Sequence, residues 1–568
     1  MDRVLRLATC LGLLCLAAPA SASAAPDPVM PLAQVQAGMR CTALSVIRGT
    51  EPASFDVEVL DVVRGEASAD GPLILISVSG PAVDRTGIGP GFSGSPIYCP
   101  DAAGVPRNAG AIAYGVGEYG NRVALATPIE QILGEEVDPP KGAVRASRAV
   151  RASARPLVSP LTVSGLTPTL ARRLELAAGR SGRTVLAGPS TPAPPFPPQT
   201  LRPGSAMAVG MSSGDLAMGA VGTVSYTDGD RVWAFGHPLE GAGPRSLMLQ
   251  DAYVYGVINN PLGVGEVSSY KLAVPGHDLG TLTNDALAAV VGRIGALPRR
   301  IPVRVVARDL DTGRVRETLT RVADEGAAGV DAESPAFTLV GALSLLQAET
   351  LALRSQAPHL STMCLAITVR ELPRALRFCN RYGATGGAAG DFAGASALID
   401  SYQAGRLHVT GAEARLDLRR GRREAFLSSA RAPGRVRPGQ LVPLTLTLQR
   451  PRGPRERVTA RVRVPRRARA GPLKLTLSGA SASSGDEGTE VIELLLEGEG
   501  SSGSGPRTLQ DLVKKVGAIQ RYDGVRARVG QGTRQRAYRD PALLITGRTR
   551  VTLRVAGAPT RRGVKPAK

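Results

Sequence analysis

Few residues in this chain carry chemistry in their type and spacing. Gly91-Phe92-Ser93-Gly94-Ser95-Pro96 sets a serine between two glycines, and Phe235-Gly236-His237-Pro238 sets one of only four histidines in a short turn-like segment. A serine hydroxyl is a weak nucleophile; it needs a base within hydrogen-bond reach and donors for the oxyanion. In Gly-x-Ser-Gly-x-Pro the glycines open backbone conformations that side chains obstruct, so the Gly91 and Ser93 amides can point into one hole. Such a set performs acyl transfer, with Ser93 as nucleophile and a histidine as general base. It needs neither metal nor cofactor. A glycine-rich turn without chemistry is the competing reading of the same spacing.

Two other templates fit less well. The nucleophile elbow Gly-x-Ser-x-Gly joins a strand to a helix, whereas Ile97-Tyr98-Cys99 continues as strand. Gly89-Pro90-Gly91-Phe92-Ser93-Gly94 matches Gly-x-Gly-x-x-Gly, but a dinucleotide site requires a following helix and a parallel βαβ unit. Among the histidines, His408 falls in a basic region and His359 beside Pro358 after a helix. His277, in Pro275-Gly276-His277-Asp278, is the reserve candidate for the base. His237 is the first candidate, because the hairpin strand before it delivers it to a barrel mouth; a turn histidine without a partner is the alternative.

The elements that must hold these residues read as β-strands. Phe55 to Leu60 alternates with period two, and Leu73 to Val78, Gly110 to Gly115 and Val123 to Ala126 are further strands. Glycines and prolines separate them at intervals suited to a barrel or sandwich. We therefore expect a β-domain over 26–140 that carries the serine loop. An Arg/Ala- and Pro-rich connector follows over 141–203, with a short helix near Pro168 to Leu176 and a stiff proline run after Pro189. A second β-domain over 204–310 carries the histidine; Thr227-Asp228-Gly229-Asp230 marks its hairpin. A mixed region over 311–400 contains a helix from Ala342 to Arg354. A basic β-rich region over 401–568 resembles a sandwich and includes a Gly/Ser-rich stretch within Ser478 to Gly505 and a helix from Leu509 to Gln520.

Arg3 and Arg6, the apolar run Leu7 to Ala18 and the small residues Pro19 to Ala25 form a secretory signal peptide over 1–25. No later segment reads as a membrane span, so the chain is expected to be exported without an anchor, to a periplasmic, envelope or extracellular location. In an oxidising compartment the remaining four cysteines favour disulfides, with Cys41–Cys99 and Cys364–Cys379 as the natural pairs; four free buried thiols are the alternative. The formal charge is +21, and residues 401–470 hold 18 Arg against 4 Asp or Glu. An acidic envelope surface is the partner this excess would suit, beside the bland reading of a solvated basic β-domain. Export and the scarcity of aromatics among the arginines argue against nucleic acid.

Together the two motifs resemble the SpoIVB-type (stage IV sporulation protein B) serine peptidase family. Gly91 to Pro96 is similar to its Gly-Met-Ser-Gly-Ser-Pro, and Thr86-Gly87-Ile88-Gly89 to its Thr-Gly-Gly-Ile lead-in. Gly110 to Tyr114 looks like the strand after the serine, and Phe235-Gly236-His237-Pro238 like the Leu-Gly-His segment that carries the base. The resemblance covers roughly residues 30–300. It implies a trypsin-like fold, here two β-barrel halves in swapped chain order, because Ser93 precedes His237. It also implies metal-free hydrolysis of a protein or peptide substrate, with self-processing as one outcome. Gly91 and Ser93 would form the oxyanion hole. The family's acid, upstream of the serine, is matched poorly; Asp84 ranks first, and Asp251 and Asp285 are rivals. The resulting expectation is an exported serine endopeptidase; a non-catalytic envelope binding protein on a degenerate peptidase framework is the alternative.

Overall fold

The structure is a computed structural model. It describes residues 27–63, 71–116, 121–138, 161–180, 185–188, 195–259, 269–328, 336–355, 357–383, 386–480, 492, 505–519, 522, 524–530, 532 and 534–556. The signal segment, the first part of the connector and most of the Gly/Ser-rich stretch lie outside them.

The described chain is mainly β. Strands β1 (Arg40–Val46), β2 (Pro52–Val63), β3 (Leu73–Ser79), β4 (Pro96–Pro100), β5 (Pro106–Gly115) and β6 (Val123–Pro128) close a barrel in the order β1-β2-β3-β6-β5-β4. Period-two patterning sets the faces: Phe55, Val57 and Val59 of β2 are buried while Asp56 and Glu58 are exposed. The barrel core adds Ile74, Ile76, Phe92 and Ile97, and a fully buried Phe or Ile contributes about 1.5–3 kcal/mol. A disulfide joins Cys41 of β1 to Cys99 of β4. Helix α1 (Ile129–Gly134) then packs Ile129 and Ile132 in a cluster with Tyr226 and Trp233 from the next unit.

The connector is more structured than its composition suggests. It supplies β7 (Leu161–Ser164), helix α2 (Pro168–Arg180) and β8 (Val185–Ala187). Leu170, Leu174, Ala177 and Ala178 form the buried stripe of α2. Next come β9 (Ala206–Gly214), β10 (Ala217–Asp228), β11 (Arg231–Ala234), β12 (Gly243–Ile258), β13 (Tyr270–Asp285) and β14 (Val290–Ile294). Their pairings run β9-β12-β13-β14-β11-β10, and β10 returns to β9, so these six strands form a ring. Gly229 takes φ +60° in the β10–β11 hairpin, as the Asp-Gly signal requires.

The same sheet continues outward from β9. Strands β15 (Arg300–Asp309) and β16 (Val315–Ala323) follow, then helix α3 (Ala336–Leu353), β17 (His359–Val369), β18 (Leu376–Tyr382), helix α4 (Gly387–Asp400) and β19 (Val409–Arg420). The order β18-β17-β19-β15-β16-β9 completes a thirteen-stranded sheet. Helix α3 begins six residues before the expected Ala342, because Phe337, Leu339 and Val340 are buried too. It is apolar on all sides and long enough by composition to cross a membrane, yet it packs inside the core against α4, β15 and β16. Cys364 and Cys379 face each other across β17 and β18 and are disulfide-bonded.

Beyond β19 lie β20 (Glu424–Arg431), β21 (Leu441–Gln449), β22 (Arg455–Arg463), β23 (Gly471–Ser478), helix α5 (Leu509–Ala518), β24 (Val525–Val529), β25 (Arg534–Tyr538), β26 (Leu544–Thr546) and β27 (Arg548–Val555). They form two four-stranded sheets, β22-β21-β20-β26 and β25-β24-β23-β27, which share one apolar cluster. Helix α5 starts on Thr508, whose hydroxyl accepts from the Asp511 amide.

Candidate active site at the meeting of two β-units

The segment Gly91–Pro96 enters β4 under tight backbone control. Gly91 and Gly94 hold φ of +94° and +91°, a region costly for side-chain-bearing residues. Space imposes the same choice. A methyl group on Gly94 would lie 1.9 Å from the Thr223 carbonyl oxygen, and one on Gly91 would lie 2.8 Å from Lys271 Cβ. Phe92 between them is wholly buried and meets Phe55 edge-on.

The carbonyls of this loop are tied back. Thr223 Oγ1 donates to Gly91 O (2.9 Å). The Ser95 amide and hydroxyl donate to Phe92 O (2.9 and 2.6 Å), and the Thr223 amide donates to Ser93 O (2.8 Å). The amides of Phe92, Gly94 and Ser95 are bonded to Gly89, Ile112 and Phe92 carbonyls. Among the described residues the amides of Gly91 and Ser93 have no acceptor. That alternation leaves as free donors the two groups an oxyanion would need.

Beneath the loop lies a buried polar cluster that sequence reasoning missed. Lys271 Nζ bonds Ser45 Oγ (2.7 Å) and Thr223 Oγ1 (3.2 Å), and sits 4.6 Å from the Phe92 ring centroid. Ser95 Oγ lies 2.8 Å from Ser45 Oγ. Burial pulls the Lys271 ammonium down to about 7, since a low-dielectric site penalises the charged form. One signal was available: this is one of 7 lysines in a chain with 69 basic residues, set in the strand Tyr270-Lys271-Leu272-Ala273-Val274.

His237 follows β11 through two left-handed residues, Phe235 (φ +70°) and Gly236 (φ +69°). A non-glycine residue there costs roughly 1–3 kcal/mol; the fully buried Phe235 ring, packed against Gly222, offsets it. Thr127 of the first barrel donates to Gly236 O (2.6 Å). The His237 ring is buried between Tyr114 and Phe235, each 5.9 Å away by centroid. Its Nδ1 lies 2.7 Å from the Pro238 carbonyl. A carbonyl can only accept, so Nδ1 carries the proton and Nε2 keeps its lone pair. Burial holds the ring neutral by lowering its pKa to about 4.

The serine and histidine segments therefore meet between the first barrel and the ring β9–β14. Gly94 abuts both Thr223 O and the Phe235 amide, two residues before His237. Among the described residues Ser93 Oγ makes no hydrogen bond, to His237 or to any other group.

The three candidate acids have separate positions. Asp84 is exposed; its carboxylate accepts from the Gly80 amide (3.0 Å) and lies 3.7 Å from Arg122. It does not contact His237, whose Nδ1 is engaged by Pro238. Asp251 is buried and bonds His277 Nδ1 (3.0 Å) and the Gln199 amide, and His277 meets Phe196 edge-on rather than the serine loop. Asp285 lies nearest in connectivity. It is fully buried and accepts from the amides of Leu239 (2.7 Å), Glu240 (2.8 Å) and Ala242 (3.2 Å). Arg245 lies 3.6 Å away, held in turn by Glu325 and Glu240. Burial raises the Asp285 pKa against the pull of Arg245 and the three amides. Asp285 thus fixes the turn that begins with the Pro238 carbonyl.

The other histidines pair elsewhere, His359 with Glu349 and His408 with Glu371. Among the described residues no three His, Cys, Asp or Glu side chains converge as metal ligands would. Compared with known proteins, the chain is matched by no protein-family model, no curated protein and no solved structure.

Proposed function

We propose that this chain is an exported serine endopeptidase of the SpoIVB type, with Ser93 as nucleophile and His237 as general base. In this reading the barrel β1–β6 and the ring β9–β14 are trypsin-like halves in swapped chain order, and the two C-terminal sheets form a sandwich. The observation that carries it is the loop Gly91–Ser95, whose carbonyls are bonded inward while the Gly91 and Ser93 amides are left as donors. Beside it stands a histidine in the tautomer that has a basic Nε2.

The chemistry follows from those atoms. Ser93 Oγ attacks the carbonyl carbon of a peptide bond while His237 Nε2 takes its proton. The oxyanion is held by the Gly91 and Ser93 N–H groups. The C–N bond breaks as the imidazolium returns its proton to the leaving amine, and water releases the acyl group by the same steps. Ser–His contacts are often loose in the absence of substrate. The Pro238 carbonyl orients the ring but supplies no full negative charge to the imidazolium. Losing the acid of a Ser-His-Asp set costs on the order of 10⁴ in rate, so a slow enzyme is expected.

That same carbonyl favours a second reading, an envelope binding protein on a peptidase framework that has lost its acid. Fluorophosphonate labelling separates the two. The peptidase reading expects one labelled site, abolished by Ser93→Ala, and loss of any self-cleavage in that variant. Equal labelling of wild type and Ser93→Ala, or none in either together with no cleavage, favours the binding protein.

A further inference from the structure

The last sheet, β25-β24-β23-β27, has two unlike faces. Leu475, Leu477, Val525, Ala527, Leu553 and Val555 point into the shared core. The residues alternating with them point outward and line a trough of about 530 Å³, with Lys474, Arg526, Arg528, Arg534, Arg548 and Arg550 among its walls. Strand register turns them into rows. Arg534 pairs with Arg528, Arg528 with Thr476, and Thr476 with Arg550. In the next row Arg526 pairs with Ser478, and Ser478 with Arg548.

Folding gives no reason for this arrangement. Like charges directly opposite one another destabilise a sheet, and Arg528 faces Arg534 with no acidic residue in the lining. Among the described residues Lys474, Arg528, Arg534, Arg548 and Arg550 enter no ion pair, unlike Arg293 with Asp138 and Asp230, Arg304 with Glu317 and Arg420 with Asp309. Other exposed arginines, such as Arg457 and Arg461 of β22, are unpaired there as well; what marks this group is its gathering around one trough. An arginine-rich composition alone does not gather Lys474, Arg528, Arg534, Arg548 and Arg550 around one concave face.

We propose that this trough binds a linear phosphate polymer. Guanidinium forks engage phosphate oxygens in bidentate fashion, and the Thr476, Ser478 and Thr552 hydroxyls in the lining supply further donors. The side chains stand roughly 5 Å apart between strands and about 7 Å apart along them, so closely spaced anions can be met at several points together. No aromatic side chain lines the trough, which removes the base stacking that single-stranded nucleic acid uses. None of the exposed large apolar residues lies in it, which removes the insertion a bilayer surface rewards. Binding at this trough does not depend on Ser93 chemistry.

The test is titration of the full-length mature protein with fluorescently labelled inorganic polyphosphate at several salt concentrations. Anionic phospholipid vesicles and a single-stranded oligonucleotide run in parallel. Arg528→Ala/Arg550→Ala removes two exposed charges on either side of Thr476. Arg457→Ala/Arg461→Ala removes two exposed charges from β22 on the other sheet. The expected result is polyphosphate binding that weakens at least about tenfold in the trough variant, with a log affinity–log salt slope shallower by about 1–2. The β22 variant should retain most of the affinity, and the charge-preserving Arg528→Lys/Arg550→Lys should fall between it and the alanine pair, keeping the salt slope but losing the bidentate contacts. No variant should melt below the wild type, and Arg528→Ala/Arg550→Ala should melt at or slightly above it, since it relieves the Arg528–Arg534 repulsion. Equal losses in the two alanine pairs would assign the binding to net charge and overturn the proposal. So would absence of polyphosphate binding by the wild type, or tighter binding of vesicles or oligonucleotide.

Discussion

The Lys271 side-chain nitrogen has no carboxylate to meet it; its contacts are two hydroxyls and an aromatic face. With its pKa lowered to about 7 from an ordinary 10.5, it is unprotonated in the fold but protonated in the unfolded chain between those values. Unfolding then takes up a proton, so stability rises with pH across that window and is lost as pH falls through about 7. The full effect is on the order of 4–5 kcal/mol. Lys271→Met should flatten the rise because it removes the titrating amine, while Ser45 and Thr223 keep each other as partners (3.3 Å). Urea midpoints at pH 7 and pH 9.5 measure it, and an unchanged slope in the variant would mean that another group titrates. His237 has the same sign at lower pH: its contribution is present above about 6.5 and is lost as pH falls through about 4.

At the scale of elements, the turn between β11 and β12 shows how a buried carboxylate can orient His237 without touching it. Asp285, at the end of β13, holds three amides of residues 239–242 and through them the Pro238 carbonyl. In the proposed mechanism it would be a positioning residue. In Asp285→Asn the amide nitrogen would confront the Glu240 and Ala242 N–H groups, donor against donor. A histidine displaced by about 1 Å loses on the order of 100-fold. The Ser93 labelling rate should fall by at least tenfold, and its pH profile should shift as His237 becomes more hydrated. Asp285→Glu should restore part of the rate if its carboxylate reaches the same amides. A variant that labels at the wild-type rate would limit Asp285 to structure.

At the scale of the molecule, the candidate site is a product of contact between two β-units. Thr223 to Ser93, Thr127 to Gly236 and Asn108 to Ser225 are hydrogen bonds that cross this boundary. Asn108 is fully buried; its amide donates to Ser225 O (3.1 Å) and its oxygen accepts from the Gly110 amide. Asn108→Ala leaves both partners buried and unsatisfied, at about 1–3 kcal/mol each. Denaturant unfolding should register that loss, and Ser93 labelling should slow with it as the units loosen. Full labelling in a destabilised variant would show that the site survives without this clamp.

The signals legible in the chain without its fold are local. Period-two alternation marked β2, a nearly continuous apolar run marked β3, and short apolar runs marked β5 and β6; Asp228-Gly229 marked the hairpin before His237, and the glycines at 91 and 94 marked a backbone that tolerates no side chain. These signals lie within a few residues of one another, where sterics and burial act directly on residue type. The cysteine pairs were legible too, because each joins strands of one unit. The parts decided by tertiary structure are those set by distant segments. Strand pairs β7–β8 and β15–β19 depend on parallel partners that no local pattern announces. The orienting partner of His237 is a backbone carbonyl, which has no residue type to read. Lys271 reaches Ser45 and Thr223 across 226 and 48 positions, and Asp285 acts on a turn 43 to 46 positions away. A sequence lists the groups that can donate, accept or ionise; burial and long-range register choose which of them meet.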